Sequence, residues 1–164
     1  MGQAINSPTH SMRLFFHFRF AAVLSALSLA AYVPAQAAGT MNPFTSDGCS
    51  LFPDRSLISR SDWSNCCFAH DLAYWRGGTA DERLQADQQL RSCVLQATGN
   101  TSLADLMFTG VRTGGGPYFF TTYRWAYGWP YGRGYKPLSP AEQETASSLQ
   151  AQHMATSPLQ KDSW

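Results

Sequence analysis

Hydrophobic and polar positions follow different regimes along the chain. Phe20 to Ala31 is apolar throughout except for Ser25 and Ser28, and Pro34 ends the run. Residues 38–60 are rich in Pro, Ser, Asp and Gly and show no helical period, which predicts loop. WSNCCFAHDLAYW then follows a cap-like Ser61-Asp62 pair, has helix length and is closed by Gly77-Gly78. Thr79-Ala80-Asp81-Glu82 has the form of a capping box and predicts a second helix to about Ala97, before Gly99. Its core-facing stripe is expected at Leu84, Asp87, Leu90 or Arg91, and Val94. Asn100 or Thr101 is expected to cap a third helix through Leu103, Leu106, Met107 and Val111, which Gly114 to Gly116 stop. Residues 117–138, aromatic and rich in Gly and Pro, predict ordered loop or short strand. Ser139-Pro140-Ala141-Glu142 is a further cap with proline at the first helical position, ahead of a weakly patterned polar helix. The fold class expected is mainly α.

The apolar run near the N-terminus belongs to a different logic. Arg13 and Arg19 precede or enter it, and Ala35-Gln36-Ala37 follows with small residues where a signal peptidase reads them. The run falls short of the ~20 residues that span a bilayer. Residues 1–37 are therefore expected to be an N-terminal extension and cleavable signal peptide, with Met12 a better start than Met1. Residues 38–164 are expected to form a single domain, with 155–164 as a flexible tail, in a secreted or periplasmic setting.

Composition narrows the class. Charged residues are only 14% of the chain against the ~25% usual in globular domains, while hydrophobic residues make up 44%. A formal charge of +1 excludes charge-driven disorder and speaks against a nucleic-acid module. Losing Arg13 and Arg19 with the signal leaves ten basic residues against eleven acidic ones. All four cysteines, Cys49, Cys66, Cys67 and Cys93, lie beyond the signal. In an exported chain that count predicts two disulfides, with three possible pairings.

The candidate chemistry sits on the first two helices. Cys67, His70 and Tyr74 fall three and four apart and share a face, and Cys67 and Asp71 share an adjacent one. Asp87 lies on the core-facing side of the second helix, where a buried carboxylate needs a partner, and His70 can supply it. If the helices are antiparallel, Cys66 is displaced from His70 by ~6 Å in the same direction that Cys93 is displaced from Asp87 by ~9 Å. A Cys66–Cys93 bridge is then compatible with a His70–Asp87 hydrogen bond. Pairing of Cys49 with Cys67 would bring loop 47–54, with Asp47 and its carbonyls, beside Asp71. That is oxygen-only chemistry suited to Ca²⁺. A zinc site built from Cys49, Cys66, Cys67 and His70 is disfavoured, since adjacent Cys66 and Cys67 point to different helix faces.

The segment CCFAHDLAY (66–74), preceded by DGCSLFPD (47–54) and followed by Asp87 and Cys93, resembles the secreted phospholipase A2 superfamily. The likeness covers residues 47–93 and is strongest in the helix motif. It implies a mainly α fold in which two antiparallel, disulfide-linked helices carry the active site. By position it implies that His70 is the general base for water, Asp87 orients it, and Tyr74 joins the network. It further implies that Asp71 is a calcium ligand, and that the disulfides are Cys49–Cys67 and Cys66–Cys93. The loop DGCSLFPD departs from the glycine-rich calcium loop of the animal enzymes and is more similar to short prokaryotic and fungal members. On that alignment Asp47 and the Gly48 carbonyl complete the protein ligands. The activity implied is Ca²⁺-dependent hydrolysis of a glycerophospholipid acyl ester, by resemblance the sn-2 ester, by a monomer at a membrane or micelle surface. A non-catalytic lipid-binding module on the same scaffold is the alternative.

Nine aromatic residues fall between Tyr118 and Tyr135, interleaved with arginines. They fit either packing over the two-helix platform or contact with a lipid interface. Trp125 and Trp129 are the membrane-contact candidates. His153 is expected to be exposed in the polar tail.

Overall fold

The computed structural model describes residues 40–50, 52–56 and 61–157. The signal-peptide expectation lies outside them. Four helices follow in order: α1 (Ser64–Arg76), α2 (Ala80–Thr98), α3 (Thr101–Gly114) and α4 (Pro140–Thr156). Among the described residues there is no strand, only an isolated antiparallel bridge between Arg55 and Asp62. Loop rather than strand therefore fills 117–138. α4 runs to Thr156, so the expected tail begins in helix, and 158–164 fall outside the description.

The helix ends follow local chemistry. α2 opens on a complete capping box: Thr79 Oγ1 accepts the Glu82 amide at 3.2 Å and Glu82 Oε2 accepts the Thr79 amide at 2.7 Å. It closes on Gly99 in the left-handed region, φ 65°. Asn100 caps α3 by accepting the Leu103 amide at 3.0 Å. α4 repeats the capping box with Ser139 and Glu142 and takes Pro140 in its first turn. α1 starts later than its Ser61-Asp62 pair suggests. Trp63 occupies the cap position without a side-chain bond, and Asp62 instead accepts the Ser64 amide and hydroxyl at 2.9 and 2.6 Å.

α2 packs against both α1 and α3. α1 and α2 form an antiparallel hairpin, because Tyr74 meets Arg83, His70 meets Asp87 and Cys66 meets Cys93 in order away from the Gly77-Gly78 turn. Disulfides join Cys49 to Cys67 and Cys66 to Cys93. One core cluster gathers Trp63, Leu90, Val94, Ala104 and Met107 around these sulfurs. The other is built on Phe44, Trp75, Trp125 and Trp129.

The second cluster corrects the assignment of Trp125 and Trp129 to a membrane. Each is 1% exposed. Their indole N–H groups donate to Gly78 O at 3.0 Å and Arg76 O at 2.8 Å, while the Ala126 and Gly128 amides reach Tyr74 O and Trp75 O at 2.6 and 3.1 Å. Those carbonyls at and just beyond the end of α1 have no partner within the helix, so loop 125–129 closes the helix from outside. Gly77 makes the approach possible. Its φ is +70°, and a Cβ there would sit 2.5 Å from the Ala126 Cβ. The exposed members of the aromatic stretch are instead Tyr118, Phe119, Phe120, Tyr131 and Tyr135.

α4 is held by a salt bridge from Arg133 to Glu142, two bonds of 2.7 and 3.1 Å. The guanidinium lowers the Glu142 carboxyl to about 2 against the cost of burial. His153 is half-buried rather than solvated in a tail, its ring edge-on to Phe44 at 4.8 Å. Among the described residues, no helix is long and apolar enough to cross a membrane. Two disulfides and the absence of a free cysteine among the described residues suit an oxidising compartment.

Candidate active site

α1 and α2 bring His70, Tyr74 and Asp87 into one network. Asp87 is fully buried. Its Oδ1 takes hydrogen bonds from His70 Nε2 at 2.8 Å and the Tyr74 hydroxyl at 2.7 Å, and its Oδ2 takes one from Arg112 at 2.6 Å. Arg83, one turn back on α2, stands 3.9 Å from Oδ2. Burial opposes the charge on Asp87, but the bonds from His70, Arg112 and Tyr74 together outweigh it and hold the carboxyl below its usual range. An ionised Asp87 accepts the proton-bearing Nε2 of His70. Nδ1, which makes no hydrogen bond among the described residues, then carries the lone pair. Burial, followed by the charge of Asp87, pushes the Tyr74 phenol upward, so it stays a donor.

Arg83 and Arg112 were not legible as site residues. Arg83 is 4% exposed and donates from Nε to Tyr74 Oη at 3.0 Å and from NH1 to Tyr135 Oη at 2.8 Å. Its NH2 reaches Val111 O and Arg112 O at 2.7 and 2.9 Å, two carbonyls in the last turn of α3. It therefore caps α3 with a cation where the helix dipole is negative. The buried stripe of α2 is Arg83, Ala86, Asp87, Leu90 and Val94, and Leu84 is exposed. Counting four back from Asp87 rather than three would have reached Arg83, but its charge argues against burial on hydropathy grounds.

Asp71 lies on the neighbouring face of α1. Burial, with the charges of Asp47 and Asp54 adding to it, raises its carboxyl to about 7 against the bonds that the Ser46 hydroxyl, at 2.6 Å, and the Asp47 amide provide. No Lys, Arg or His pairs with it among the described residues. Asp47 is exposed, with Oδ1 accepting the Ser50 hydroxyl at 3.0 Å. Gly48 has φ +74°, where an L side chain is strained, and a Cβ there would meet Asp54 Oδ1 at 2.5 Å, so glycine is favoured. Desolvated acidity without a cationic partner, beside the Asp47 carboxylate, is a donor set that fits a hard cation. Cys49, Asp54 and Cys67 also cluster, but the two sulfurs are bonded to each other and the Asp54 carboxylate accepts the Cys49 amide at 2.9 Å. That trio has no thiolate to offer a metal.

His70 and Asp71 border an apolar cavity whose walls include Phe52, Leu90, Met107 and Val111. The ring of His70 thus meets a space that favours an apolar chain, while its other edge is tied to a buried charge. Comparison of the chain with protein-family models, with curated proteins and with solved structures finds no match.

Proposed function

We propose that the chain is an exported, Ca²⁺-dependent phospholipase A2-like hydrolase that cleaves an acyl ester of glycerophospholipids, by resemblance the sn-2 ester, to lysophospholipid and free fatty acid. The observation that carries this reading is the His70–Asp87 pair, with Nε2 held by a buried carboxylate and the ring bordering an apolar cavity beside Asp71. In this reading Nδ1 of His70 takes a proton from water as that water attacks the ester carbonyl. Asp87 holds the ring tautomer and stabilises the imidazolium that forms. Tyr74 and Arg112 fix the Asp87 carboxylate through the bonds described above. Asp71, Asp47 and the Gly48 carbonyl would hold the Ca²⁺, loosely, about 10⁻⁴–10⁻³ M. The chemistry supplied by bound Ca²⁺ is Lewis-acid polarisation of the ester carbonyl and charge stabilisation of its oxyanion. The apolar cavity would take an acyl chain.

A second reading, a non-catalytic lipid-binding module, is favoured by the exposed aromatics, with Phe120 86% exposed. Mass spectrometry of lysophospholipid and fatty acid, with Ca²⁺ and with excess EGTA, separates the two. Hydrolysis is expected only with Ca²⁺ and only with His70 intact, so His70→Gln should lose turnover while keeping its fold. Undiminished hydrolysis in EGTA removes the calcium role. Retained turnover in His70→Gln removes the base, and no product in any condition favours the binding module.

A further inference from the structure

A cavity of about 370 Å³ lies between the α1–α2 turn and the start of α4, and shares no wall residue with the apolar cavity at His70. Its size falls within the ~300–1,000 Å³ of small-molecule sites. Glu82, Gln85 and Gln89 fall three and four apart and run as one stripe of α2 along its wall. Asp87 and Gln89 are separated by about 200° of helical turn, so this stripe faces away from the Asp87 network. Arg76, the last residue of α1, and Gln143, in the first turn of α4, complete the polar wall. The rest is apolar, with Ala86 buried and Ala73 and Leu138 half-buried. The half-buried Arg76 guanidinium and the exposed Gln85 and Gln89 amides have no partner among the described residues. Glu82 commits Oε2 to the Thr79 amide at 2.7 Å and keeps Oε1 open. Gln143 donates to Leu138 O at 3.2 Å and keeps its carbonyl oxygen. Single exposed amides are ordinary on a helix. Here they converge from two helices with a cation and a carboxylate that line the same cavity without pairing.

We infer that this cavity is a second binding site, separate from the candidate active site, and that its ligand is a short saccharide. Each sugar hydroxyl donates one hydrogen bond and accepts two, so it needs donors and acceptors side by side. The wall supplies both: N–H groups of Arg76 and of the amides, and oxygens of Glu82 and of the amides. All five are planar groups that can reach two neighbouring hydroxyls at once. The charges of Arg76 and Glu82 cancel, so the wall as a whole selects neither an anion nor a cation. Ala73, Ala86 and Leu138 offer the carbon-bound face of a sugar ring an apolar surface, in the usual pairing of an apolar wall with a few placed polar groups.

The test is a titration of the full chain, followed by NMR chemical shifts, with cellobiose, maltose, lactose and N,N′-diacetylchitobiose at millimolar concentrations. Inorganic phosphate and glycine betaine serve as the anionic and zwitterionic comparisons. At least one disaccharide is expected to bind more tightly than either comparison, with shifts at Gln85, Gln89 and Gln143. The Gln85→Ala/Gln89→Ala variant replaces exposed side chains only, so its melting temperature should hold. It should weaken that disaccharide roughly 10-fold or more, as for loss of one or two hydrogen bonds. Arg76→Gln should weaken it as well. Binding should be the same in Ca²⁺, in EGTA and in His70→Gln, since the cavity shares no wall with the candidate active site. Failure of all four disaccharides to bind overturns the inference, and tighter binding of phosphate or betaine overturns the ligand class. Undiminished affinity in the double variant, or loss of binding in His70→Gln, overturns the location. Each of these outcomes leaves the hydrolase reading untouched, because no turnover is measured.

Discussion

Arg83→Met removes the cation that ties three helices and a loop together while roughly keeping side-chain bulk. The bonds lost are those to Tyr74, Tyr135, Val111 O and Arg112 O. Their losses are unequal. Tyr135 can turn to water, Tyr74 keeps Asp87, and Val111 O keeps the Gly115 amide at 2.9 Å. Arg112 O is left without a side-chain partner, at a cost of about 1–3 kcal/mol. Asp87, fully buried, also loses one of its two neighbouring arginines. Breaking up a buried charge network in this way costs about 3–5 kcal/mol in all. For a domain of this size that lowers the melting temperature by roughly 10–25 °C. The control is Arg91→Met, whose ion pair with Asp105 has side chains 39% and 51% exposed and is worth at most about 1 kcal/mol. Urea denaturation of both variants under non-reducing conditions gives the comparison. A cost for Arg83→Met within about 1 kcal/mol of that for Arg91→Met would refute the cap-and-charge argument.

Three further outcomes are expected. Trp129→Ala should cost about 3–5 kcal/mol by urea melt, since it empties a buried site and strips the stacked Arg133 guanidinium 4.3 Å above the ring, whereas Phe120→Ala should stay within about 0.5 kcal/mol. Glu142→Gln should lose about 1.5–3 kcal/mol near neutral pH. The Glu142 carboxyl is lowered on folding, so its contribution is complete above its ordinary value of 4.5 and disappears as pH falls through about 2, and thermal melts across that window should show the variant's deficit closing. Replacing Cys66 and Cys93 together by alanine should cost about 3.5 kcal/mol by chain entropy for their separation of 27 residues, read as a lower urea midpoint.

What was legible in the sequence was mostly local or periodic. The capping boxes at Thr79 and Ser139 and the glycine at Gly99 mark helix ends by bonds within a few residues, and the helices follow them. The Cys66–Cys93 geometry was legible because helical rise converts residue counts into distance, and it agrees with the bridge found, while the Cys49–Cys67 pairing followed by elimination and from the resemblance. The meeting of His70 with Asp87 rests on the same arithmetic. The rest depends on partners far along the chain. Indole N–H groups at 125 and 129 reach carbonyls 47 and 53 residues earlier, and aromatic content alone does not distinguish that from an exposed interface. Arg83 escaped because a buried arginine contradicts the apolar stripe until its carbonyl acceptors are known, and the half-buried Arg112 escaped because its carboxylate acceptor, Asp87, lies 25 residues away. His153 escaped because its packing partner, Phe44, lies in irregular chain without a periodic signal.

The clasp that loop 125–129 places on the end of α1 has a consequence for length. Each helical residue turns the chain by about 100°. One residue inserted or deleted between His70 and Gly77 would rotate the carbonyls of Tyr74, Trp75 and Arg76 away from the donors that meet them, or swing His70 off Asp87. That stretch should therefore admit substitutions but no change in residue count. Beyond His153, whose ring packs on Phe44, α4 carries no comparable lock among the described residues, and a turn added there should pass unnoticed by the rest of the molecule.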